Sequence, residues 1–576
     1  MRRFTIRRYD ATVADSLIAR GIEEPLARAL AARGLTHPDE ASLDIRSMLP
    51  PAELKNANLA AEILADAIQN NKKIVIIGDY DCDGATATSI GYIGLQLLGA
   101  KQVSYLIPDR EKDGYGLSKN LVDKAIQSGA ELIITVDNGI SAIEAVDYAK
   151  SAGIQVIVTD HHLPGRELPK ADCIVDPSQP GDTFKSKSIA GCGVIFYVLI
   201  ALRSELRKRG VFDQKTQPNL MCLIDLVALG TVADVVPFDQ NNRILVKKGL
   251  ENIRRGFLRP GIAALLCKSK RNANSLSSSD LAFAIAPRIN AAGRLGNMET
   301  GIQCLLASDI NVAAQYAEQL DSLNNDRKQL EKDGLEEAMQ ALGTIDSEES
   351  SSLCVFRKSW HLGVIGLVAS RLRERIYRPT ICFGLSNEIG SNGEEIKGSG
   401  RSIPGIHLRD VLDAVDKREP GLILKFGGHA QAAGLTIRKA DFERFKKIFD
   451  EEVSNFASED VFHETLETDG ELTAGDLYNA NLVRNIREYV WGQNFPEPVF
   501  MNRFRVVKQE LLNGAHLRLR LETDGVEVPG IWFRKKKEIP RDVILAYKLG
   551  LNEWGGRTTV QLIIEAMEDP MADFGA

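Results

Sequence analysis

Four short apolar runs between residues 72 and 177, KIVIIGD, VSYLIPD, LIITVDN and QVIVTD, constrain this chain more than any other feature. Each is rich in Ile and Val and is followed by a turn, and three then enter a segment of helical spacing such as SAIEAVDYAKSAG. Near-continuous apolar strands alternating with helices predict a parallel sheet covered on both faces. Ligands of such sheets gather at the carboxyl ends of the strands. All four runs carry an acid at that end.

The densest of these ends is GDYDCDG, which sets Asp79, Asp81 and Asp83 at alternate positions directly after a strand. At about 6 Å and an effective dielectric of ~20, each like-charged pair repels by roughly 3 kcal/mol. A divalent cation resolves that conflict, and oxygen ligands suit Mg²⁺ or Mn²⁺. A calcium loop of the helix–loop–helix type is excluded. Its twelfth position, which must be Glu, is Ile90, and a strand rather than a helix precedes the motif. Asp137 ends the third run, and Asp160, His161 and His162 end the fourth, so three strand ends converge on one crevice. Asp225, in LIDLVALGTVADVVP, is an acid within an apolar run; it is read either as a further ligand or as a capped or solvent-facing helical residue. Five or six acids with one or two histidines suffice for two metals that share a bridging carboxylate, a pairing suited to phosphoester hydrolysis. Nothing in the pattern supplies a covalent nucleophile.

The motifs GDYDCDG, VDNG and DHH, with ALGTVADVVP, PRINAAGRLG, WHLGVIGLVASRL, GSGRS and GGHAQAAG in order along the chain, resemble the DHH phosphoesterase superfamily and its single-strand-specific exonuclease branch. The resemblance implies a 5′→3′ exonuclease on single-stranded DNA that uses two divalent ions, Mn²⁺ or Mg²⁺, in recombination and repair. It implies Asp79, Asp81 and Asp137 on one metal, and Asp83, Asp137, His161 and Asp225 on the other. Asp137 would bridge, His162 would contact the scissile phosphate or sit just outside the metal shell, and Asp160 would orient a histidine. Small-substrate relatives often begin the first motif as H-x-x-x-D-x-D, with the histidine four residues before the aspartate that matches Asp81. Here that position is Ile77, which disfavours that branch and suggests that Asp79 substitutes. A non-catalytic scaffold would show eroded ligands, yet every acid and histidine is present. No phosphate-binding loop of the motor ATPases occurs.

KGSGRSI and FGGHAQAAG are glycine-dense and contain Ser399, Arg401 and His429, so backbone N–H groups and a guanidinium can approach an anion together. The resemblance makes them a phosphate-binding lobe, with Arg110 joining Ser399 and Arg401 on a terminal 5′-phosphate. It sets Arg288, Asn290 and Arg294 along the DNA track, and Trp360 and His361 near the substrate channel, although Trp360 also reads as an ordinary core residue.

Charge speaks to substrate only locally. The net charge of −7 disfavours nucleic acid, but ten acids and no Lys or Arg lie between Asp450 and Asp476, whereas Arg503 to Lys537 holds nine basic residues against four acids. Alternating runs such as HLRLRLE there suggest a small antiparallel barrel or sandwich. Arg518 and Arg520 fall on one face, and Trp532 lies beside a basic run suited to stacking on a single strand.

The expected architecture is therefore α/β and multidomain: a parallel-sheet DHH domain and a DHH-associated α/β domain joined by a long helix, plus a C-terminal OB-like β-barrel. Expected divisions are a helical N-terminal extension over 1–50, the DHH domain over 51–305, a connecting helix over 306–345, the DHH-associated domain over 346–448, an acidic linker over 449–476 and the barrel over 477–576. No apolar run of about 18 residues suggests a membrane span, and the basic N-terminus has no hydrophobic stretch of a secretory signal. Eight cysteines without a C-x-x-C pair suit a reduced, cytoplasmic compartment. A monomer is expected, and the family role implies a single-strand binding protein and a helicase as partners.

Overall fold

A computed structural model describes residues 2–110, 113–342, 350–390, 393–554 and 557–568. The chain opens with a strand, β1 (Arg2–Ile6), ahead of a helical segment. The four apolar runs then form β2 (Ile74–Ile77), β3 (Val103–Leu106), β4 (Leu132–Val136) and β5 (Gln155–Thr159), and β6 (Cys173–Val175) extends the sheet. All five are parallel, in the order β3-β2-β4-β5-β6. Strand periodicity divides the core. Ile74 and Ile76 face one apolar cluster with the 82–97 and 191–208 helices, while Val75 and Ile77 face the 119–127 and 143–151 helices. Burial of each such side chain is worth about 1.5–3 kcal/mol. The chain winds outward to β3 on one side of β2 and to β4 on the other, so the carboxyl ends of β2 and β4 flank a topological switch point.

The connecting helix spans Ile310–Leu342, 33 residues or about 50 Å at 1.5 Å per residue. The expected end of this element at 345 lies outside the described residues. Beyond it, β7 (Leu353–Phe356), β8 (Thr380–Gly390), β9 (Gly393–Arg401), β10 (Ile423–Gly428) and β11 (Ala432–Arg438) make a mixed sheet ordered β10-β11-β9-β8-β7. Only β7 and β8 are parallel neighbours in it. After β12 (Glu464–Thr468), strands β13 (Phe500–Leu512), β14 (His516–Thr523), β15 (Val526–Trp532), β16 (Asp542–Trp554) and β17 (Arg557–Met567) close a barrel ordered β13-β14-β15-β17-β16.

Two divisions differ from expectation. The acidic stretch is no free linker. Its first part continues the Phe442–Phe456 helix, whose Phe445, Ile448, Phe449 and Val453 pack into the second domain. Its second part, β12, pairs in parallel with β1, so the N-terminal extension is not purely helical. Local acidity is answered in space: Arg418 pairs with Glu451 and Glu452, Arg7 with Glu467, and Arg33 with Asp469. Among the described residues no helix is long and apolar enough to cross a membrane.

Candidate active site

Each strand end delivers its acid by a local device. Asp81 caps the Cys82–Leu97 helix, its carboxylate accepting from the Gly84 N–H at 2.9 Å. Asp83, fully buried in the first turn, accepts from the N–H groups of Gly191 (2.7 Å) and Cys192 (3.1 Å) at the start of the next helix. Asp137 follows β4 with φ +63°, a left-handed conformation that Asp tolerates better than most residues. Gly191 must be small here, because a Cβ would lie 2.5 Å from that of Asp137. Asp160 accepts from the N–H groups of Ile140, His161 and His162 and pairs at 2.7 Å with His162 Nδ1.

Among the described residues three groupings of potential metal ligands result, each with ligand atoms within 4.8 Å of one another: Asp79, Asp81 and Asp137; Asp83, His161 and Asp234; and Asp137, His161 and His162. His161 Nε2 lies 3.1 Å from Asp137 and 3.5 Å from Asp234, without hydrogen-bond alignment to either. Asp79 Oδ1, Asp137 Oδ1 and His161 Nε2 are all buried and lack a hydrogen-bond partner. Buried polar atoms seldom remain unpaired, and carboxylate oxygens with an imidazole nitrogen suit a divalent ion. The residues fit the metal pair expected for them.

The electrostatics agree. Burial, reinforced by neighbouring carboxylates, pushes Asp79, Asp137 and Asp234 well above the usual carboxylate range and Asp83 up to about 6. Burial and the adjacent His162 lower His161 to about 4, which leaves it neutral and able to ligate. Burial would also depress His162, but its bond to Asp160 prevails and raises it to about 9. Acids with raised pKa values stabilise the fold at low pH and lose that contribution as pH rises through the folded value, near 6 for Asp83. Mn²⁺ should therefore raise the melting temperature of the metal-free protein more at pH 8 than at pH 5. Equal shifts in calorimetry at the two pH values would show that these acids do not take up the ion.

Beside the cluster opens a cleft of about 830 Å³ between the first two domains, lined in part by Tyr80, Arg110, Arg294, His361 and Ser399. Burial, with the charges of Arg110, Arg327 and Arg401, lowers Arg294 to about 10. Arg401 donates to Ser399 Oγ (3.2 Å), and Gly366, in the first turn of the Ile365–Ile376 helix, leaves both groups room. A Cβ there would lie 2.8 Å from Ser399 Oγ and 2.9 Å from the guanidinium. Guanidinium groups beside a helix N-terminus suit a phosphate.

Three family models match: the DHH family N-terminal domain over residues 73–231, the DHHA1 domain over 350–455 and the RecJ OB domain over 468–566. The single-stranded-DNA-specific exonuclease RecJ of Salmonella typhimurium is 44% identical over 532 residues, covering 90% of this chain and 91% of that protein. The chain belongs to the RecJ family. Its Escherichia coli member is likewise 44% identical, with the same coverage. The crystal structure of Thermus thermophilus RecJ in complex with Mn²⁺ superimposes with a TM-score of 0.82 at 29% identity, over 99% of this chain and 80% of that one.

Against this RecJ framework, the structure brings together Asp79, Asp81, Asp83, Asp137, Asp160, His161 and His162 at the sheet edge, and Arg110, Arg294, His361, Ser399 and Arg401 at or beside the cleft. Asp225 is a correction. It lies in the first turn of the Ile224–Ala233 helix, where Arg259 grips it at 2.9 and 3.0 Å, and the carboxylate that reaches His161 is Asp234 at the opposite end. Other expected contacts prove internal. Arg288 is ion-paired at 2.8 Å with Asp321 of the connecting helix. Asn290 accepts from the Cys82 N–H at 2.8 Å and so braces the metal loop from behind. Trp360 is buried and donates to Glu337 at 2.9 Å, which makes it a core residue. His429 is exposed in the β10–β11 turn, outside the cleft lining.

On the barrel, Arg518 and Arg520 alternate with buried leucines as expected, but stand 3.6 Å from Glu510 and 3.5 Å from Glu527. Trp532 carries the Lys535 ammonium over its ring at 4.3 Å. Sequence reasoning missed Asp234 and Tyr115. The Tyr115 hydroxyl donates to the Asp137 carbonyl (2.9 Å) and lies 3.2 Å from both ring nitrogens of His162. Its ring packs edge-on against Tyr80, over which Arg110 is stacked.

Proposed function

We propose that this protein degrades single-stranded DNA from the 5′ end by two-metal hydrolysis and serves recombination and repair. The observation that carries the reading is the trio of buried, unpartnered ligand atoms on Asp79, Asp137 and His161 beside a cleft of crowded arginines. Asp79, Asp81 and Asp137 would hold one divalent ion, and Asp83, Asp137, His161 and Asp234 would hold the other, with Asp137 common to both. A pair of Mn²⁺ or Mg²⁺ ions, when bound, activates water and neutralises charge at the phosphate in flight. Asp160 keeps His162 protonated and aimed, so that the imidazolium hydrogen-bonds a phosphate oxygen as negative charge builds. Arg110, Arg294, Ser399 and Arg401 receive the terminal 5′-phosphate, with His361 on the cleft wall, and thereby set polarity. Arg518, Arg520 and Trp532, with the basic run from Arg534, guide the rest of the strand. The protein acts as a monomer in the cytoplasm, where a helicase and a single-strand binding protein present its substrate.

Oligonucleotides labelled at either end test the reading. With Mn²⁺ or Mg²⁺, mononucleotides should appear from the 5′ end of single strands, and a chelator should stop their release. Release from the 3′ end, or activity that survives the chelator, would overturn it.

A further inference from the structure

Asp234 immediately precedes a strained residue. It ends the Ile224–Ala233 helix with its N–H bonded to the Gly230 carbonyl at 2.9 Å, and the next residue, Val235, has φ +60°. A β-branched residue rarely adopts that conformation, and Val235 is 61% exposed, so packing of its own side chain does not compensate. Something downstream must hold it. Three successive residues are tied down. Asn242 Nδ2 donates to the Pro237 carbonyl (2.9 Å), the Phe238 N–H donates to the Gln493 carbonyl (2.8 Å), and Asp239 accepts from Ser186 Oγ (2.7 Å).

The middle tie comes from the segment that leads into the C-terminal barrel. Gly492 lies against the Phe238 ring, where a Cβ would fall 2.6 Å from the ring carbons. Trp491 and Phe495 stack with centroids 5.5 Å apart, between the Arg33 guanidinium over Trp491 (5.4 Å) and that of Arg243 over Phe495 (4.1 Å). Arg33 is itself locked in a buried pair with Asp469 at 2.7 Å, and Ser278 holds the Trp491 carbonyl at 2.7 Å. This layered stack joins the N-terminal segment, the first domain and the approach to the barrel. Through Gly492 and Gln493 it meets Phe238, four residues from Asp234.

We infer that Phe238 and Gly492 are positioning residues for the Asp234 carboxylate: docking of the Trp491–Phe495 segment holds Val235 in its left-handed conformation and so keeps Asp234 on His161 and the metal cluster. The barrel approach thereby sets the affinity of one metal position, beyond any part the barrel has in holding DNA. This rests on the assignment of Asp234 as a ligand.

The test titrates Mn²⁺ into the DNA-free full-length protein and follows the free-ion electron paramagnetic resonance signal. Phe238→Ala should weaken one of two Mn²⁺ sites by roughly tenfold, as loss of a group supporting a ligand commonly does. Gly492→Ala, a milder change on the other side of the contact, should act in the same direction. Adding Val235→Gly to Phe238→Ala should recover most of the loss, because glycine adopts positive φ without strain and no longer needs the brace. A merely structural role would lower the melting temperature without changing Mn²⁺ affinity. Unchanged Mn²⁺ affinity in both single variants, or no recovery in the double variant, overturns the inference. An Asp234→Ala protein that binds both Mn²⁺ ions as the wild type does overturns the ligand assignment instead, so the two failures are distinct.

Discussion

Asp137→Ala should lower the rate of nucleotide release from single-stranded DNA by on the order of a thousandfold or more, because it would remove the carboxylate proposed for both metal positions. Asp137 belongs to two of the three ligand groupings, with Asp79 and Asp81 on one side and His161 and His162 on the other. Its left-handed backbone, its unpaired Oδ1 and the tight seat against Gly191 together show a side chain held in place for something other than fold stability. Binding of a 5′-phosphorylated strand should change little, since the arginine cleft and the barrel are untouched. The metal-free variant should also melt above the wild type, as one buried like charge has gone. Single-turnover release, fluorescence anisotropy and calorimetry measure the three quantities. Release at the wild-type rate would remove Asp137 from the reaction.

Asp234→Ala and Asp225→Ala should fail in opposite ways. Loss of Asp234 would take a proposed ligand from the second metal position and should cost activity by on the order of a hundredfold, with little change in fold stability. Loss of Asp225 leaves Arg259 without its partner in a largely buried setting, where breaking such a pair costs roughly 3 kcal/mol of stability. The surviving folded Asp225→Ala protein should still release nucleotides at close to the wild-type rate per folded molecule. Thermal melts paired with initial rates separate the two effects. An inactive but stable Asp225→Ala protein would restore it to the metal set.

These two acids also mark how far the sequence could be read. Both lie in one apolar run, LIDLVALGTVADVV, nine residues or about two and a half helical turns apart. They therefore project from opposite faces and opposite ends of the same helix. Composition cannot tell which end meets the crevice; the packing of that helix against the Cys82–Leu97 and Gly191–Lys208 helices decides it. The same limit explains Arg288, Asn290 and Trp360. Each is a residue type that can hold DNA, and each is taken by a nearer partner, Asp321, the Cys82 N–H and Glu337, which lie 33, 208 and 23 residues away in sequence.

The acidic stretch shows it for charge. Ten acids without a Lys or Arg between 450 and 476 read as a linker, yet arginines brought from 7, 33 and 418 pair with four of them. What the sequence determined by itself was everything carried by short-range periodicity: the parallel sheet, the strand ends that bear Asp79, Asp81, Asp83, Asp137 and the DHH triplet, and the alternation of Arg518 and Arg520 with buried leucines. A strand's ends and faces follow from the residues within it. What only the tertiary structure decided was pairing between distant segments: Asp234 rather than Asp225 beside His161, β1 against β12, and the stack of Arg33, Trp491, Phe495 and Arg243 that brings the barrel approach against Phe238. Those contacts are set by how whole elements pack, and no local pattern encodes the partner across the interface.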